Sequence, residues 1–128
     1  MKRLEIWVAI AALVLTACGT SAPIMNINHA PIVNNNPNIS LDDVGKAIQR
    51  GGAALGWIMQ ADRPGHVLGT LKLRTHVAIV DINYDANSYS IIYKNSTNLK
   101  YDGKNIHRNY NGWIENLDKS IHAQLASL

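Results

Sequence analysis

The chain has 128 residues, with 12 lysines and arginines against 9 aspartates and glutamates and a formal net charge of +3. Because this excess is small and no block of basic residues occurs, the composition argues against nucleic acid as a partner. Cys18 is the only cysteine, which excludes an internal disulfide and a cysteine metal cluster.

The N-terminal segment is typical of an export signal. Lys2 and Arg3 precede an apolar run over residues 6–14, which is too short to span a bilayer. The sequence Leu-Thr-Ala-Cys that ends at Cys18 resembles the lipobox of bacterial lipoproteins. This resemblance predicts a signal peptide over residues 1–17 that is removed and a lipid on Cys18, which becomes the new N-terminus.

The residues that follow the cysteine indicate where the protein resides. Gly19, by resemblance to enterobacterial sorting rules, predicts an outer-membrane protein that faces the periplasm, with exposure at the cell surface as the alternative. Residues 18–38 contain Pro23, Pro31 and an asparagine-rich run, without a sustained apolar period. We therefore predict a lipidated N-terminus and flexible tether over residues 18–38, followed by one globular domain over residues 39–128.

A first helix is predicted from Ser40. Ser40 can cap a helix N-terminus, and Asp43 occupies the acidic position of a capping box. Val44 and Ile48 follow at helical spacing. Gly51 and the glycine after it should end or loosen this helix.

Strands are predicted after the helix. Pro64 and Gly65 suit the two central positions of a type II turn, which predicts a hairpin between residues 56–62 and a strand that begins at His66. A third strand is predicted over residues 88–95. Three antiparallel strands would then form a meander.

The central segment, residues 66–84, is predicted as one long strand because no turn chemistry divides it. Its apolar residues change parity part-way along, so a bend or bulge is expected near Gly69 or Thr75. The alternative divides the segment near Arg74 and Thr75 and produces a four-stranded meander.

A second helix is predicted after a loop that contains Asp102 and Gly103, with Asn105 as its cap. The helix carries one broad apolar stripe. This stripe comprises Ile106, Tyr110, Trp113, Ile114, Leu117, Ile121 and Leu125. Two helices on one face of the meander predict an α+β fold, an α-β-β-β-α two-layer sandwich.

Catalytic and metal-binding patterns are weak in this sequence. The five histidines show no His-x-His or His-x-x-x-His spacing, so neither a metal nor another cofactor is predicted. His76 could meet His107 or Asp81 in the folded chain, and a hydrogen-bonded structural role is the favoured interpretation. No serine has a Gly-x-Ser-x-Gly setting. A small hydrolase is retained as an alternative, because catalytic groups can converge in space.

Two groups of residues are candidates for binding. Tyr101 and His107 belong to aromatic, polar segments that could stack on a sugar ring of peptidoglycan; the competing interpretation places the nearby aromatic residues in the core. Lys72 and Arg74, together with Arg63, could form a basic patch that contacts lipid headgroups or an acidic partner. The competing interpretation is a solvated sheet face. His76 completes the set of candidate binding residues.

A series of short motifs resembles a family of small proteobacterial outer-membrane lipoproteins. The matching residues are Gly56-Trp57, Pro64-Gly65, Leu73-Arg74-x-His76-x-Ala78, Ile82-x-Tyr84, Tyr89-Ser90-Ile91-x-Tyr93 and Ile106-His107-x-x-Tyr110-Asn111-x-Trp113. The resemblance covers most of residues 55–118. It implies a shared fold and carries no mechanism.

These observations together predict a non-enzymatic, lipid-anchored domain that binds another component of the cell envelope. A protein is the expected partner, contacted through the exposed sheet face or through the loop at residues 95–105. The second interpretation is a peptidoglycan or glycan-binding module, and the third is a small hydrolase. The sequence leaves the oligomeric state open.

Overall fold

A computed structural model describes residues 20–128, so the predicted signal peptide and Cys18 lie outside the described residues. Two helices and seven strands follow one another along this part of the chain. They are β1 (Ser21–Pro23), β2 (Ile27–Pro31), α1 (Leu41–Ala53), β3 (Ile58–Arg63), β4 (His66–Leu73), β5 (His76–Tyr84), β6 (Ser88–Thr97), β7 (Asn105–His107) and α2 (Arg108–Ala126). The prediction of an α+β fold is confirmed.

Helix α1 begins as its sequence predicts. The Ser40 hydroxyl accepts a hydrogen bond from the Asp43 N–H at 3.0 Å, and the Asp43 carboxylate accepts one from the Ser40 N–H at 3.1 Å. This reciprocal pair satisfies two N–H groups that the first turn leaves without helical partners. Val44 and Ile48 lie fully buried against the sheet and α2.

The large sheet is antiparallel and has the strand order β2-β6-β5-β4-β3. The prediction of one long strand over residues 66–84 is wrong, and the alternative division at Arg74 and Thr75 is correct. Leu73 pairs with His76 across a two-residue turn in which Arg74 has φ 56°. Glycine or asparagine usually occupies such a position, so arginine and threonine conceal the turn in the sequence.

The same turn explains the change of parity within the central segment. Register pairs Val67 with Ile82 and Leu71 with Ala78, so odd-numbered residues of β4 face the same side as even-numbered residues of β5. All four side chains are buried in one core. A strand of this length would also span about 60 Å at about 3.3 Å per residue, which exceeds the dimensions of a small domain.

The prediction of a flexible tether is wrong for two stretches of residues 18–38. Strand β2 forms an edge of the large sheet by pairing with β6, and β1 pairs with β7 in a separate two-stranded sheet. Ile27 and Ala30 pack against the core. Pro31 ends β2 at the sheet edge, where a missing N–H removes no hydrogen bond between central strands.

Helix α2 begins at Arg108, three residues after its predicted cap at Asn105. Residues 105–107 instead form β7, and the His107 side chain caps the helix by accepting a hydrogen bond from the Asn109 N–H at 3.1 Å. The predicted apolar stripe is buried from Tyr110 to Leu125, except for the half-buried Trp113. Both helices therefore cover one face of the large sheet.

Candidate functional site

The first candidate site lies on the open face of the sheet, by which we mean the side of β3–β6 that points away from both helices. Four apolar side chains in the middle of this face are half-buried: Leu68, Val77, Ile79 and Ile92. Thr70, also half-buried, lies among them. Ile58, at the β3 edge, is 52 % exposed. An apolar strip therefore remains in contact with solvent among residues 20–128.

A polar cluster borders this strip, centred on His66. The His66 Nδ1 atom lies 2.6 Å from Asp62 Oδ1, and its Nε2 atom lies 2.7 Å from Asp81 Oδ1. The β3–β4 turn brings Asp62 beside His66, and the β4–β5 register places Asp81 opposite Leu68. Lys94 Nζ lies 3.5 Å from the same Asp81 oxygen. The cluster lines a shallow depression of about 450 Å³.

The electrostatics of this cluster are those of an imidazole held between two carboxylates. Both ring nitrogens can donate together only when the ring carries two N–H protons. The hydrogen bond with His66 holds the pKa of Asp62 below its usual value. Both nitrogens of the buried ring therefore contact a carboxylate oxygen.

Sequence reasoning missed this cluster. Alternation along β3 and β4 places Asp62 and His66 on one face and could have suggested that pair. Asp81 could not be added, because its position opposite β4 depends on the turn at Arg74, which the sequence conceals. The proposed approach of His76 to Asp81 is wrong, since it is His66 that contacts Asp81.

A second candidate region lies at one end of the sheet and comprises residues 20–24, 72–76 and 98–109, which we call the basic end. Its segments are tied together by side chains. The Asn98 amide donates to the Thr75 hydroxyl at 2.7 Å, and His76 Nδ1 lies 2.7 Å from the Asn98 carbonyl oxygen. The rings of His76 and His107 lie 5.9 Å apart.

These contacts give the two histidines structural roles. His76 holds the loop at Asn98, and His107 caps α2. The suggested meeting of His76 with His107 is confirmed. Trp113 completes the group, with its ring centroid 6.3 Å from that of His76.

The tyrosines beside this group divide between core and surface. Tyr110 is fully buried, and its hydroxyl has no hydrogen-bond partner within residues 20–128; burial raises its pKa. Tyr93 is half-buried, with its ring centroid 4.2 Å from that of Tyr101. Tyr101 is 38 % exposed. Tyr93 and Tyr101 line a shallow depression of about 360 Å³ together with Asn95, Ser96, Asn98, Leu99 and Lys100.

The structure separates the predicted basic patch. Lys72, Arg74 and Tyr101 are exposed at the basic end. His76 and His107 lie there too and are half-buried. Arg63 does not join them, because it ends β3 at the opposite end of the sheet and donates to the Asp62 carboxylate at 3.0 Å. The length of β4, eight residues, separates Arg63 from Arg74.

No family model, curated protein or solved structure matches the chain. Within residues 20–128, no group of three or more histidine, cysteine, aspartate and glutamate side chains has a geometry suited to a metal ion. No helix in the same residues is sufficiently long and apolar to cross a bilayer.

Proposed function

We propose that the chain is a non-enzymatic, lipid-anchored domain of the outer membrane that faces the periplasm and binds a protein of the cell envelope through its open face. The observation that carries this proposal is the uncovered sheet face itself. The two helices lie on the other side, and no helix or strand of residues 20–128 covers the strip of half-buried apolar side chains.

The chemistry of the open face favours a protein as the partner. Apolar side chains at the centre with charged groups around them match the usual anatomy of a protein interface. Charged residues of both signs border the strip. Asp62 and Asp81 supply the negative charges, and Lys72 and Lys94 supply the positive charges. The edge strand β3 also has one side unpaired within residues 20–128, so it offers backbone donors and acceptors.

The lipobox resemblance at Cys18 supports a location of this face in the cell envelope. Mass spectrometry of the membrane-extracted protein should show an acylated N-terminus at Cys18, and Cys18→Ser should release the protein from membranes. A mature protein without lipid that begins at another residue would contradict the anchor.

Site-specific photocrosslinking in intact cells tests the open face. A photoreactive amino acid at Ile58 or Thr70 should capture one envelope protein, and the same group at Lys119, which is exposed on α2, is the matched control. Thr70→Glu should abolish capture from Ile58 without changing the melting temperature substantially. Equal capture from Ile58 and Lys119, or no capture at either open-face position, would contradict the proposal.

A second candidate function, glycan binding, is favoured by the Tyr93 and Tyr101 pair. Aromatic rings beside asparagine amides and a serine hydroxyl are suited to stack on a sugar and to hydrogen-bond its hydroxyl groups. Retention of the protein on purified peptidoglycan that is lost in Tyr101→Ala, and kept in the control Asn109→Ala, would support this function. Absence of retention by the unmodified protein would contradict it.

A further inference from the structure

The first described residues are fastened to the basic end. The Arg108 N–H donates to the Thr20 carbonyl at 2.7 Å, and Ser21 pairs with His107. The Asn111 side chain makes two further hydrogen bonds to the entering segment. Its amide donates to the Pro23 carbonyl at 2.9 Å, and its Oδ1 accepts from the Met25 N–H at 2.9 Å. The chain thus enters the domain at the junction of β7 and α2.

Only Gly19 separates Thr20 from Cys18. Two residues extend by at most about 7 Å. A lipid on Cys18 would therefore place the basic end next to the bilayer, whereas a flexible tether of the length predicted from the sequence would have left the orientation of the domain open.

The charges of the domain are distributed along the same axis. The basic end carries five lysines and arginines against one carboxylate, that of Asp102. The backbone N–H groups of Asn105 and Lys104 donate hydrogen bonds to the Asp102 carboxylate and lower its pKa. Lys72, Arg74, Lys100 and Lys104 are all exposed, and none lies in a salt bridge within residues 20–128.

The opposite end, which comprises residues 32–43, 62–66 and 84–88, has the reverse balance. It carries four aspartates and one arginine, and the Lys46 ammonium, which lies 2.9 Å from the Asp42 carboxylate, offsets one of these negative charges. Its segments are joined by the Tyr84 N–H, which donates to the Gly65 carbonyl at 2.9 Å, and by the Ile32 N–H, which donates to the Asn87 carbonyl at 2.9 Å. The domain is therefore electrically polar, with its positive end at the point where the chain enters.

We infer that the basic end lies against the anionic headgroups of the bilayer that holds the Cys18 lipid. This inference rests on the proposed lipid anchor and adds the surface that faces the membrane. Lys104 lies beside the entry segment, since its carbonyl accepts a hydrogen bond from the Ile24 N–H at 3.0 Å. An anionic surface attracts cations within a Debye length, which is about 8 Å at physiological salt. Tyr101, exposed among them, is a residue type that is favoured at the level of lipid headgroups.

One consequence concerns the open face. Strands β3–β6 run between the basic end and the opposite end. With the basic end against lipid, these strands stand away from the bilayer and the open face is directed sideways. A protein partner in the periplasm can then reach it without displacing the domain from the membrane.

The acylated protein reconstituted in vesicles tests this orientation. Because Cys18 is the only cysteine and its thiol is used by the lipid, a cysteine introduced at Asn109 or at Ala86 takes up a fluorophore at one place. Both positions are exposed, Asn109 at the basic end and Ala86 at the opposite end. The vesicles consist of phosphatidylcholine alone or of equal parts phosphatidylcholine and phosphatidylglycerol, each with a nitroxide-labelled headgroup lipid as quencher.

We expect the label at Asn109 to be quenched strongly in anionic vesicles and less in neutral vesicles, and the label at Ala86 to be quenched little in either. Each cation near an anionic surface shifts the equilibrium toward contact about fivefold. Lys100→Glu combined with Lys104→Glu should therefore reduce the quenching at Asn109 markedly. The control, Lys46→Glu combined with Lys119→Glu, makes the same change in net charge elsewhere and should have little effect.

The inferred orientation would be overturned by equal quenching at Asn109 and Ala86, or by equal effects of the two double variants. If mass spectrometry finds the acyl group on Cys18 in the same sample, the proposed anchor still holds. A protein that lacks the acyl group would overturn the proposed anchor and the orientation together. The two failures are therefore distinguishable.

Discussion

Substitution of Gly51 by alanine should test how closely the two helices approach. Gly51 lies near the end of α1, where the Ser120 hydroxyl donates to its carbonyl at 2.7 Å. A methyl group at this position would lie 2.8 Å from the Ile121 Cα and 3.0 Å from its backbone nitrogen. Because these are backbone atoms, a change of side-chain rotamer cannot relieve the contact.

The expected magnitude follows from two opposing effects. Alanine is favoured over glycine inside a helix by about 1 kcal/mol, whereas overpacking a buried contact costs about 1–3 kcal/mol. The contact here forces α1 and α2 apart over their whole interface, so we expect the upper half of that range and a net destabilisation of about 1–2 kcal/mol. Gly112→Ala is the matched control, because its added methyl group would meet no atom within 4 Å. It should stabilise the protein by up to about 1 kcal/mol.

Urea and thermal denaturation of the purified protein, followed by circular dichroism, would measure both changes. For a domain of this size, 1 kcal/mol corresponds to about 4 °C in Tm. The two variants, which add the same methyl group, should therefore differ in the sign of their effect. A Gly51→Ala protein as stable as the unmodified protein, with an unchanged dependence on urea, would show that the helices are not in close contact at this point.

Three further predictions concern the cap and the polar cluster. Ser40→Ala removes the acceptor of the Asp43 N–H and should cost about 1 kcal/mol in urea denaturation; no loss would contradict the capping box. Asp81→Asn weakens the hydrogen bond to the buried His66 and should cost about 1–3 kcal/mol, more than Asp62→Asn at the more exposed carboxylate. Because the folded pKa of Asp62 is below its ordinary value of 3.8, its stabilising contribution is present above pH 3.8 and is lost as the pH falls through the folded pKa. Acid titration of stability should therefore be shallower in Asp62→Asn, and identical profiles would contradict this contribution.

The sequence alone was sufficient where the decisive interaction is local. The capping box at Ser40, the turn at Pro64 and Gly65 and the apolar stripe of α2 each depend on residues within a few positions of one another. These features predicted both helices, the first hairpin and the α+β class. The sequence also suggested His107 or Asp81 as a partner of His76 and favoured a hydrogen-bonded structural role, and the structure places His76 beside His107 with both side chains bonded to backbone groups.

Only the tertiary structure decided the features that depend on pairing between distant strands. Strand β2 is short and contains proline, so nothing in its composition indicates the sheet, and its order comes from pairing with β6 more than fifty residues away. The Asp81 contact with His66 likewise requires the register that the turn at Arg74 imposes. The hydrogen bond between Thr20 and Arg108, on which the inferred orientation rests, also joins residues that are far apart in the sequence. Local preference is weak in short edge strands, and their position is determined by the surface that the rest of the fold presents.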